Sequence, residues 1–211
     1  MSRMEDVLDV YCRPYDPLQP VVCMDESSKQ LVRDVREPLP MEPGVPQRLD
    51  DHYERNGTSN LFLACEPLRG WREIKVTERR TKLDWAHFVR ELVDEHYPDA
   101  ARVVLVLDNL NTHRPASLYE AFEPAEAKRI WDRLELHYTP LHGSWLNVAE
   151  CEFSVLSSQC TNRRIPDQQA LQTAVEAWEQ ERNHLGAPVH WQFTTTDARI
   201  KLAHLYPMIQ A

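Results

Sequence analysis

The stretch "VVLVLDNLNTH", residues 103 to 113, runs five consecutive apolar residues without polar alternation and then ends on Asp108 and Asn109. A strand that is apolar on both faces has to be covered on both faces, so it belongs at the centre of a layered structure and not at a wet edge. Its last residue is nevertheless a carboxylate. Ligands of such sheets gather beyond the carboxyl ends of the strands, which makes this end of the sheet the place to look for a site.

A second strand-like run, "PVVCMDESS" at 20 to 28, carries a carboxylate at its end in the same way, Asp25. "NLFLACEP" (60 to 67) and "WREIKVTE" (71 to 78) are joined by "LRG" and read as a hairpin. From Thr81 the period changes: Leu83, Trp85, Phe88, Val89, Leu92 and Val93 recur at helical spacing up to Tyr97, and Pro98 stops the helix. Helical stretches at about 115 to 133, a strand "LELHYTP" (134 to 140), helices at 147 to 160 and 167 to 184, and a last helix near 196 to 205 complete the chain. The Pro-rich segment "PLPMEPGVP" (38 to 46) suits neither regular helix nor central strand and reads as a loop. Strands in antiparallel style followed by strands alternating with helices predict one α/β domain with a mixed central sheet flanked by helices. Residues 1–19 read as an N-terminal extension or linker remnant, and 20–211 as the folded domain.

Composition removes several classes. With 42% hydrophobic and 27% charged residues and six tryptophans, the chain is globular and not disordered. No run approaches the roughly 18 apolar residues of a membrane span. The opening "MSRMEDVLDVYCRPYD" places acids where a signal peptide needs an apolar stretch, so a bacterial-type cytoplasmic location with no membrane partner is expected. Cys12, Cys23, Cys65, Cys151 and Cys160 are odd in number and include no C-x-x-C, a pattern of free thiols. The formal charge of -9 argues at face value against a nucleic-acid partner. Local patches weigh on the other side: "ERRTK" (78 to 82) and "NRR" (162 to 164) are basic, although ordinary solvated faces look the same.

Two strand-end aspartates need a third acid to make a metal cage. Glu150 in "HGSWLNVAECEFSVL" supplies it from the first turn of the helix after strand 134 to 140. Each acid has a plainer use. Asp at a strand end is a common turn former, and Asn147 with Glu150 has the spacing of a helix capping pair. The joint order of strand–Asp, hairpin and helix, strand–Asp, then strand and helix–Glu favours a site.

"CMDES", "LVLDNLNTH" and "HYTPLHGSWLNVAECEFSVL" resemble the three catalytic blocks of DDE transposases of the mariner-like superfamily, in its bacterial insertion-sequence branch. The resemblance spans about residues 20 to 160. It implies an RNase H-like fold with Asp25, Asp108 and Glu150 as acidic triad, holding two Mg²⁺ or Mn²⁺ ions. It also implies hydrolysis at transposon ends, strand transfer into target DNA at a TA dinucleotide, double-stranded DNA as partner, and a homodimer at work. Such chemistry needs an activated water or hydroxyl, charge neutralisation at phosphorus and support for the leaving oxygen, and hard carboxylate oxygens suit the ions that supply them. The segment "PAEAKRIWDRL" (124 to 134) accounts for a longer gap between the second and third acids than in eukaryotic mariner relatives.

Around the triad, Asn109 is expected to order its loop, and His113 to touch a scissile phosphate or orient the turn, or else to be a surface turn histidine. His142, Gly143, Ser144 and Trp145 precede the Glu150 helix as DNA contacts, with Trp145 stacking on a flipped base or else buried in the core. Arg79, Arg80, Arg163 and Arg164 are candidate phosphate contacts, whereas His184 and His190 have no zinc-like set of partners. Full transposases of this type carry N-terminal helix-turn-helix domains, and the first catalytic strand here begins about twenty residues from Met1. The expectation is therefore a catalytic domain without that module, with weak and unspecific cleavage if alone. An RNase H-like nuclease without strand transfer and an inactive or domesticated remnant remain as alternatives. A paired-carboxylate glycosidase is disfavoured by the third acid.

Overall fold

A computed structural model of the chain describes residues 1–36, 41–44 and 50–206. Five strands, β1 (Val21–Asp34), β2 (Tyr53–Glu66), β3 (Trp71–Thr77), β4 (Val103–Leu107) and β5 (Leu134–Tyr138), form one sheet in the order β3-β2-β1-β4-β5. The first three are antiparallel neighbours, whereas β4 runs parallel to β1 and to β5. The five apolar residues of β4 are used on both faces. Val103, Leu105 and Leu107 pack with α2 (Lys82–Glu91), α3 (Pro115–Ala121) and α4 (Pro124–Asp132). Val104 and Val106 pack on the other face with α1 (Ser2–Tyr11), α5 (Val148–Leu156), α6 (Gln168–Leu185) and α7 (Thr195–Lys201). This is the mixed sheet between helical layers that the strand pattern predicts, in the topology of an RNase H-like domain.

Local chemistry sets the helix ends. Thr81 and Asp84 close a reciprocal capping box on α2, and Thr194 and Asp197 do the same for α7. Pro124 starts α4 because it needs no N–H there, and for the same reason it breaks the expected 115 to 133 stretch into two helices. The strands β1 and β2 run well beyond the expected 20 to 28 and 60 to 67: the added part of β2, residues 53 to 58, is exposed, whereas that of β1 is partly buried and places Leu31 in the core. The Pro-rich loop expected at 38 to 46 falls largely outside the described residues.

Residues 1–19, read from sequence as an extension, contribute α1, whose Met4, Val7, Leu8 and Val10 are buried in the same core as β1 and α5. The Tyr11 hydroxyl at its end donates to the Leu146 carbonyl at 2.7 Å and so braces the turn that leads into α5. Arg72 on β3, itself buried, forms a bidentate pair with buried Glu152 on α5 (2.8 and 2.9 Å), and Arg182 on α6 adds to it at 3.3 Å. Gly70, at φ 69°, lets the β2–β3 turn approach the end of α6, where a Cβ would lie 2.6 Å from the Gly186 carbonyl carbon.

Candidate active site

The register Val21↔Val104, Val22↔Leu105, Cys23↔Val106, continued by two residues, brings Asp25 level with Asp108 at the carboxyl end of the parallel pair. Strand alternation then points the Asp25 side chain to the α5 face, because Cys23, two residues earlier, packs there, while Asp108 stands one residue past the end of β4. Glu150 sits in the first turn of α5, half-buried. The start of that helix is tied to β1 directly: buried Asn147 donates its Nδ2 to the Met24 carbonyl at 2.9 Å and accepts from Ala149 N at 3.2 Å. Asn147 is therefore the cap that its spacing predicted, and it is also the strut that sets α5 against the strand residue before Asp25. No capping contact from Glu150 closes a reciprocal box there among the described residues, which leaves that carboxylate to the cleft.

Asp25 is only 8% exposed, and burial pushes its carboxyl up to about 7. A hydrogen bond from Glu26 N at 2.8 Å opposes the rise, while the negative charges of Asp108, Glu26 and Glu150 add to it. Asp25 thus feels the charge of both other predicted acids at this end of the sheet. Among the described residues, no three His, Cys, Asp or Glu side chains stand grouped to hold a metal ion as they are. The donor set nevertheless fits one. All three acids present hard oxygens, and a divalent cation is the species that relieves a charge crowding of this kind.

Asp108 is held from below. His113, 0% exposed, places Nδ1 2.7 Å from Asp108 Oδ1 and Nε2 2.7 Å from Glu26 Oε1. Burial by itself draws this imidazole down, but the Asp108 and Glu26 carboxylates outweigh it and push it up to about 10, so the ring is an imidazolium at neutral pH. The ring is buried between the two carboxylates and next to the Asp108 carbonyl, away from the open cleft. Asn109 is half-buried in the same turn.

The flanking residues divide. His142, in the left-handed region at φ 61°, and Ser144 are exposed on the turn before α5, whereas Gly143 is buried. Trp145 is 47% exposed, stacked on Trp191 with centroids 6.4 Å apart and edge-on to Phe193, so it is not a core tryptophan. Arg79, Arg80 and Arg163 are exposed. Arg164 is half-buried: its Nη1 donates to Asp34 at 2.5 Å and to the Asp50 carbonyl at 2.7 Å, and its guanidinium lies over Tyr53. Glu26 and the tethering role of Asn147 were missed by the sequence reading. The only available signal for Glu26 was its place beside Asp25 in "CMDES".

The sequence matches the family described as DDE superfamily endonuclease over residues 20–172. No curated protein matches it. Among solved structures it is similar to the Mos1 mariner paired end complex with Mn (TM-score 0.56, 17% identity, 88% of this chain and 56% of that one). It is likewise similar to the Mos1 strand transfer complex (TM-score 0.57, 15% identity, 88% and 55%) and to the mariner Mos1 paired end complex with Mg (TM-score 0.56, 17% identity, 88% and 57%). At these identities the likeness concerns the fold, and the chain spans a little over half the length of the transposases it matches.

Proposed function

The chain belongs to the DDE superfamily of endonucleases, and from that premise we propose that it is the catalytic domain of a mariner-like DNA transposase of the bacterial insertion-sequence branch, at work in the cytoplasm. Its reaction is hydrolysis of phosphodiester bonds at transposon ends and strand transfer to target DNA. The observation that supports this reading is geometric: Asp25 stands level with Asp108 at the carboxyl end of the parallel pair, and Glu150 sits in the first turn of the helix that Asn147 ties to β1. Support for the partners comes from the relatives, which were crystallised as paired-end and strand-transfer complexes and with Mn or Mg. Double-stranded DNA, a pair of protomers and two Mg²⁺ or Mn²⁺ ions are the corresponding assignments for this chain.

In this reading Asp25, Asp108 and Glu150 hold the ions. Two such ions, when bound, neutralise the phosphate, activate the attacking oxygen and support the leaving one. The protein residues do the remaining work. Asp25 gives up the proton that burial favours, so the floor of the cleft becomes fully anionic. Asn147 keeps Glu150 facing that floor by tying α5 to Met24. Trp145 and His142 present an exposed aromatic and an imidazole beside the cleft for bases and phosphates, with Arg79, Arg80 and Arg163 as outlying cations.

The test is incubation of the purified chain with supercoiled plasmid in Mg²⁺, Mn²⁺, Ca²⁺ or EDTA, beside Glu150→Gln, and a joining assay with a 3′-hydroxyl donor. Nicking in Mg²⁺ or Mn²⁺ that disappears in the variant, together with joined product, is the expected result. Nicking without joining would make the chain a nuclease; nicking retained by Glu150→Gln would refute the triad.

A further inference from the structure

On β1 the side chains of Asp25 and Glu26 leave the sheet on opposite faces, and Glu26 goes down toward α2 with its carboxylate 4% exposed. A carboxylate so buried is costly unless it is paired. Its Oε1 has one partner, His113 Nε2 at 2.7 Å, and its Oε2 has none among the described residues. The ring that it meets is fixed on every side. Trp85 lies across it with centroids 5.6 Å apart, the Tyr138 hydroxyl donates to the His113 carbonyl at 2.6 Å, and Ser117 closes the turn on the Thr112 carbonyl at 2.7 Å. The far nitrogen, Nδ1, lies 2.7 Å from Asp108 Oδ1 and donates to the Asp108 carbonyl at 3.3 Å. Leu110 N also donates to Oδ1, at 3.3 Å.

We propose that Glu26 is a positioning residue for Asp108, acting through His113, and that this clamp reserves Asp108 Oδ1 and leaves only Oδ2 free to bind an ion. The proposal rests on the reading of Asp108 as a metal ligand. A short carboxylate at a strand end turns freely about two bonds, and either oxygen can face the cleft. Pinning Oδ1 from beneath removes that choice, so Asp108 offers one oxygen in one direction. Groups that orient a ligand in this way commonly set metal affinity by about 10–100-fold.

The measurement is Mn²⁺ binding to the full chain, followed by electron paramagnetic resonance at fixed pH, with thermal midpoints and nicking at saturating Mn²⁺ recorded beside it. Glu26→Ala and His113→Ala are expected to weaken Mn²⁺ binding by about 10–100-fold while nicking largely recovers at saturating metal. Glu26→Gln, which keeps an acceptor for Nε2, is expected to restore much of the affinity. If Glu26→Ala does not fold, His113→Gln carries the same expectation, because it removes the Nδ1 contact and keeps a polar side chain of similar bulk. Asp197→Ala, which opens the capping box of α7, serves as the control that loosens the fold elsewhere without moving the affinity. Variants that lower the midpoint yet bind Mn²⁺ as tightly as the parent would overturn the clamp and leave the triad intact. Failure of the parent to bind Mn²⁺, or unchanged binding in Asp25→Asn, would overturn the acidic site itself and the clamp with it.

Discussion

Asp25→Asn should abolish cleavage and at the same time stabilise the metal-free fold. The Asp25 carboxyl is pushed from 3.8 up to about 7 by its burial and by the acids around it. Because the folded-state value lies above the unfolded one, the stability attached to this group is fully present below about pH 4 and is lost as pH rises through 7. The difference of about three pH units corresponds to roughly 4 kcal/mol of folding free energy forgone above pH 8. Asparagine has no charge to desolvate, and its Oδ1 can still accept from Glu26 N, as Asp25 does at 2.8 Å. Urea unfolding in EDTA, run on parent and variant from pH 5 to pH 8, should therefore show the variant gaining on the parent by about 3 kcal/mol across the range, or some 6–12 °C in midpoint. Added Mn²⁺ should close the gap from the parent's side only, because a ligand stabilises the state that binds it. A difference independent of pH, or a parent that stays the more stable at pH 8 in EDTA, would refute the argument that this carboxylate is held against its own charge.

Glu152→Ala leaves Arg72 buried and unpaired, so it should cost about 3–5 kcal/mol in urea unfolding, whereas the joint Arg72→Met, Glu152→Leu variant should lose much less. Asn147→Ala removes both the cap of α5 and the strut to Met24. It should cost about 1–2 kcal/mol by the same measurement and reduce nicking more than that loss explains, since Glu150 rides on this helix. Glu179 on α6 is pushed up to about 7, by burial first and then by Glu73, while accepting from Ile74 N at 2.7 Å. Glu179→Gln keeps the acceptor and should gain stability on the parent as pH rises from 5 to 8, by about 1–2 kcal/mol once solvent screening is allowed for; a pH-independent difference would count against it.

How much of this was legible beforehand depended on whether a residue's signal was local. β4 announced itself, because five apolar residues in a row have one physical explanation, and the structure uses both of their faces. The α1 helix was equally legible and was passed over: Met4, Val7, Leu8 and Tyr11 recur at helical spacing, but the acids between them drew the reading toward an extension. The outer halves of β1 and β2 were passed over, since residues 53 to 58 are exposed to water and carry no alternation to detect, and Leu31 is the one fully buried residue in the added part of β1. Asp25, Asp108 and Glu150 were proposed as a triad from order and block alone. What each of them touches could not, because those contacts cross 87 residues from Glu26 to His113 and 123 from Met24 to Asn147.

The same contrast bears on what the site's precision depends on. Asp25 is fixed within β1, but the other two acids are less firmly placed by their own elements: Asp108 stands just past the end of β4, and Glu150 in the first turn of a nine-residue helix. Each of these two is constrained by a neighbour that carries no chemistry of its own, His113 for Asp108 and Asn147 for Glu150. Both neighbours are fully buried and anchor to β1, at Glu26 and at Met24, the residues on either side of Asp25. One three-residue stretch, Met24–Asp25–Glu26, therefore serves as first acid and as fixed point for the other two. A register slip of one residue in β1 would turn Asp25 to the wrong face and detach both supports together, so the site should be lost all at once and not one ligand at a time.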